Sequence, residues 1–145
     1  MSLPSERGDA LPIRLILDAS AICAFGQHET VGEVIGEVDD EEETFAVTTA
    51  SLAEALASGA EPALIEVLQT NTACVVVTST SDWQGLGRFM DLTRPAPNQL
   101  HDTGDSDLTM LALHHEAFIL TDRPDRYTSI LDSVITIELE KPWPQ

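Results

Sequence analysis

Short apolar runs along the chain alternate with stretches whose apolar residues recur at helical spacing. The runs are Ile13–Leu17, Thr44–Thr48, and residues 74–78, 118–120 and 134–139. Each has the length of a strand. The lack of strict in-and-out alternation marks strands covered on both faces, as in a parallel sheet flanked by helices. Between them, Ala21, Ile22, Ala24 and Phe25 predict a short helix that Ser20 or Asp18 caps, and Val31, Val34, Ile35 and Val38 predict a second. A helix begins at Ser51 and ends near Gly59. Another opens on Glu61 and Pro62, where proline suits a first turn, and carries Leu64, Ile65 and Leu68 on its apolar face. Residues 81–93 space Trp83, Leu86, Met90 and Leu92 as a helix would. Leu108, Leu111, Ala112 and His115 form a last one behind a polar stretch that contains Gly104. The pattern predicts one layered α/β domain over residues 13–141, with five strands and six or seven helices, between a disordered leader (1–12) and a Pro-rich tail (142–145).

Length and composition agree with one soluble domain. The chain has 145 residues, 43% of them hydrophobic and 22% charged, and at this size folding buries about 70% of the surface of the unfolded chain. No apolar run reaches the roughly 18 residues of a membrane span, and Arg14 breaks the first apolar run too early for a secretory signal. The expectation is a cytoplasmic protein without a membrane segment. Cys23 and Cys74 stand far apart among apolar neighbours and are expected as buried, reduced thiols. Charge complicates any nucleic-acid role, because seven Lys and Arg against 25 Asp and Glu leave a formal net charge of -18, which repels polyanions. The acidic run 39–43 contributes to this and is expected as a solvated loop.

Three acids hold equivalent places: Asp18 after the first strand, Glu54 in the helix after the second, and Asp122 after the fourth. In open parallel sheets the carboxyl ends of the strands line the crevice where ligands bind. Asp105, at the start of the helix feeding the fourth strand, can face the same crevice, where the helix N-terminus favours a negative charge. Four carboxylates drawn together repel one another unless a cation neutralises them. All-oxygen ligation suits Mg²⁺ or Mn²⁺, and no Cys or His group with zinc spacing competes.

Leu-Asp-Ala-Ser-Ala at residues 17–21, Thr-x-x-Ser-x-x-Glu-Ala at 48–55 and the stretch 104–122 together resemble the PIN-domain family, most closely its small bacterial VapC-type toxins. The resemblance covers nearly all of the chain after residue 12. It implies a three-layer α/β/α sandwich on a central parallel sheet and metal-dependent hydrolysis of RNA phosphodiesters. Asp18, Glu54 and Asp105 correspond to the family's acids, with Asp122 as the fourth, and all four are implied metal ligands and catalytic residues. Asp105 is chosen over Asp107 because Ala112 and Thr121 then stand at the family's usual intervals. Ser20 and Thr121 are expected to orient carboxylates or waters, and Arg123 or Arg126 to contact phosphate. The implied partners are an RNA substrate, a cognate antitoxin protein and a second copy of the chain in a homodimer.

Two departures accompany the resemblance. Thr121 is followed directly by Asp122, with Arg123 where the family has its acid, so Asp125 is the alternative fourth ligand. Basic residues around the groove are few. A non-catalytic PIN-like module that binds protein is therefore the competing function. A Mg²⁺ phosphotransferase ranks behind both, since Asp18-Ala19-Ser20 lacks a second aspartate. His114 and His115 are read as packing or surface residues, and Trp83, Phe89 and Met90 as core or dimer packing.

Overall fold

A computed structural model describes residues 11–78 and 82–139. Five strands form one sheet: β1 (Ile13–Leu17), β2 (Thr44–Thr48), β3 (Cys74–Val77), β4 (Phe118–Thr121) and β5 (Thr136–Glu138). Their order across the sheet is β3-β2-β1-β4-β5, and every neighbouring pair is parallel. β1 lies at the centre, with Leu15 opposite Phe45 on one side and Phe118 on the other. The chain builds outward from β1 through β2 to β3 and then crosses to β4, so the order reverses between β1 and β4. That is the position where open α/β sheets form a ligand crevice.

Among the described residues seven helices connect the strands: α1 (Ala19–Ala24), α2 (Glu29–Asp40), α3 (Thr49–Ala57), α4 (Pro62–Gln69), α5 (Trp83–Leu92), α6 (Thr103–His115) and α7 (Asp125–Thr128). Alternation along the strands sorts the core into two layers. Leu15, Leu17, Phe45, Val47 and Leu120 pack with residues of α1, α2, α3 and α4, whereas Ile16, Ala46 and Ile119 pack with Leu108 and Ala112 of α6, Tyr127 of α7, and Val134. The result is the three-layer α/β/α sandwich on a five-stranded parallel sheet. Among the described residues no helix is long and apolar enough to cross a membrane.

Most local expectations follow the side chains. Asp18, not Ser20, caps α1, by accepting from the Ala21 amide at 3.0 Å. Thr48 caps α3 through the Ser51 amide, and Pro62 opens α4. The acidic run 39–43 is exposed except at Glu43, which pairs with Arg14 at 2.8 Å; its first two residues end α2 instead of lying in a loop. Three expectations need correction. Residues 103–107 belong to α6, because Asp102 caps that helix through the Asp105 amide and starts it earlier than the apolar periodicity does. α5 buries none of its residues, and Trp83 is 74% exposed and so not part of the core. The cysteines are free as expected but half-buried. The leader falls almost wholly, and the tail wholly, outside the described residues.

Candidate functional site

Asp18 is the most constrained of the four acids. It follows β1 at the order reversal and is 1% exposed, a costly position for a carboxylate unless its oxygens are satisfied. Oδ1 accepts from the Ser20 hydroxyl at 2.6 Å and from the Ala21 amide, while Oδ2 accepts from the Tyr127 hydroxyl at 2.7 Å. Ser20 Oγ in turn accepts from the Asp122 amide at 3.0 Å, fastening the loop after β4 to the loop after β1. Ser20 thus donates to Asp18 and accepts from the Asp122 amide at once.

Glu54 stands on the exposed face of α3, and Asp105 in the first turn of α6. Arg126 joins them, donating from Nε to Asp105 Oδ1 at 2.8 Å and lying 3.5 Å from Glu54 Oε2 through its terminal nitrogen. Glu54, Asp105 and Arg126 share a small cleft with Ser51, Asp107 and Tyr127, of about 30 Å³, on the order of two water molecules. Burial pushes the Asp105 carboxyl above the usual carboxylate range, against the opposing hydrogen bond and charge of Arg126. For Arg126, burial acts to lower the pKa, but the bond to Asp105 and the surrounding negative charge prevail and hold it above its ordinary value. Tyr127 is 1% exposed, and burial and the Asp18 charge hold its hydroxyl well above its ordinary pKa.

Asp122 reaches this group by its backbone. Its charge is also felt at the half-buried Cys23 thiol, whose pKa is raised by burial and then by Asp18, Glu54 and Asp122. Thr121 is fully buried, and its hydroxyl oxygen accepts from the Arg123 amide at 3.1 Å, which shapes the turn after β4. Arg123 and the alternative acid Asp125 are exposed on that turn and on α7, outside the cleft. Arg126, expected to await a phosphate, is engaged by two carboxylates.

The donor set fits the divalent cation that the resemblance implies, since carboxylate and hydroxyl oxygens are what Mg²⁺ and Mn²⁺ prefer. The arrangement fits only with Arg126 withdrawn. Among the described residues no three Asp, Glu, His or Cys side chains are grouped to hold one ion, and a guanidinium stands between Asp105 and Glu54.

Sequence reasoning missed α7 and Tyr127. Four residues after a proline carry too little periodicity to reveal a helical turn. The only available signal was that the chain's single tyrosine stands beside Arg126, just past a strand end. The chain matches no model of a known protein family and no curated protein.

Proposed function

We propose that the protein hydrolyses RNA phosphodiesters with a divalent cation, Mg²⁺ or Mn²⁺, held by Asp18, Glu54 and Asp105 at the crevice between β1 and β4. The carrying observation is that Arg126 spans Asp105 and Glu54 while the next residue, Tyr127, holds the buried Asp18: two of these acids already surround a positive charge. When bound, such a cation activates water and offsets charge on the phosphate. The chain's own residues prepare that place. Tyr127, Ser20 and the Ala21 amide fix the Asp18 carboxylate, so no reorientation is needed when a ligand arrives. Asp122 is the fourth acid, tied to Asp18 through Ser20.

The resemblance extends the proposal to a toxin restrained by a cognate antitoxin. The uncovered face of α5, with Trp83 and Leu92 exposed, supports a homodimer. A second reading has its own observation. Arg126 already neutralises two of the acids, and a net charge of -18 opposes RNA, which favours a non-catalytic module that binds protein.

The test is cleavage of an RNA panel by purified protein with Mn²⁺. The hydrolase reading expects cleavage that Asp18→Asn and Asp105→Asn each abolish while the circular dichroism spectrum persists. Absence of both cleavage and metal binding in the wild-type protein leaves the binding module as the function.

A further inference from the structure

Beside the acidic cleft lies a larger apolar pocket of about 380 Å³ between the end of β3 and α6, within the usual range for small-molecule sites. Asp107, Met110, Leu111 and His114 recur at helical spacing, so one face of α6 forms a wall of it, and Val77 of β3 faces them. Thr48 and Asp107 line both this pocket and the acidic cleft, so the two adjoin. We infer that the pocket is a nucleobase subsite, taking the base of the nucleotide whose phosphate meets the acids, and that it favours bases with an exocyclic amine over uracil. This rests on the hydrolase reading.

The chemistry of the lining selects the occupant. Val77, Met110 and Leu111 offer apolar surfaces for the faces of a flat ring, and a thioether packs well on aromatic rings. The lining also includes Asp107 and Asp82, the latter's carboxylate capping α5 through the Gly85 amide. These exclude a phosphate and accept N–H groups, so what suits the pocket has apolar faces and an N–H edge. Carboxylates accept from the amino group of cytosine, and the amino edges of adenine and guanine offer the same donors. Uracil offers the single N3–H, set between two carbonyl oxygens that a carboxylate repels.

The test uses neutral nucleosides, which the protein's negative charge does not repel, in EDTA so that no metal takes part. The chain has three methionines. In protein carrying ¹³C-methyl methionine, the Met110 signal reports on the pocket, with Met90 as internal control. Titration with cytidine, adenosine, guanosine and uridine to their solubility limits is expected to move Met110 and not Met90, with uridine about tenfold weaker. In the Asp82→Asn, Asp107→Asn double variant that preference should vanish, and asparagine at 82 still caps α5. Failure of every nucleoside to move Met110, equal shifts at Met90, or uridine binding as tightly as the others overturns the inference. Because the measurement needs neither metal nor cleavage, nucleoside binding by a protein that cleaves no RNA would sink the hydrolase reading alone.

Discussion

Arg126 donates from Nε to Asp105 Oδ1 at 2.8 Å, across 21 residues of sequence. The next residue, Tyr127, donates to Asp18. One turn of helix, α7, thus addresses Asp105, Glu54 and Asp18 together. A cation bound by these acids, as proposed, would compete with the Arg126 guanidinium for the same negative charge.

Removing that competitor should tighten metal binding. Arg126→Gln is expected to lower the Kd for Mn²⁺ about tenfold, the equivalent of roughly 1.4 kcal/mol for a partly exposed, charge-assisted pair. Isothermal titration of both proteins measures it. Equal or weaker binding by the variant would mean that Arg126 does not compete.

Tyr127→Phe keeps the buried ring and removes one donor from a buried carboxylate. The expected loss is about 1.5–3 kcal/mol, the range for a hydrogen bond to a charged group, read as a lower urea midpoint with an unchanged slope. A variant as stable as the wild-type protein would show that the Asp18–Tyr127 bond contributes nothing.

The sheet and most helices are legible in the sequence because burial on both faces writes itself as apolar runs: Leu15, Ile16 and Leu17 are all 1% exposed or less. Asp18 and Asp105 stand out for a related reason, as acids that abut such runs or open a helix. What could not be read was the partnering of the acids. Arg126 meets Glu54 across 72 residues and Tyr127 meets Asp18 across 109, and no local periodicity encodes contacts of that span. Trp83 misleads for the opposite reason, since helical spacing on α5 gives it a face that no layer among the described residues buries.

Ser20→Ala should loosen the link between the loops after β1 and β4. Its hydroxyl serves Asp18 and the Asp122 amide at once, so hydrogen exchange at Asp122 is expected to accelerate about tenfold while exchange in β1 stays slow. Unchanged exchange at Asp122 would contradict this tether.

Alkaline pH should destabilise the protein in a defined window. Burial raises the Cys74 thiol from 9.0 to about 11, and Tyr127 moves in the same direction. Both groups hold their protons more tightly folded than unfolded, so the stability they confer is complete below the unfolded value and is lost as pH rises through the folded one. For Cys74 the loss begins near pH 9.0 and continues through about 11. The chain has a single lysine, Lys141, so few other groups titrate there. Urea midpoints measured across this window should fall, and fall less steeply in Cys74→Ala; identical slopes would refute the assignment.

The central claim, that Asp18, Glu54 and Asp105 form a place for a divalent cation, is tested most directly by titrating Mn²⁺ into the purified protein and following free Mn²⁺ by electron paramagnetic resonance. The account predicts saturable binding that is lost in Asp105→Asn and strengthened in Arg126→Gln. No saturable binding by either the wild-type protein or Arg126→Gln would contradict it.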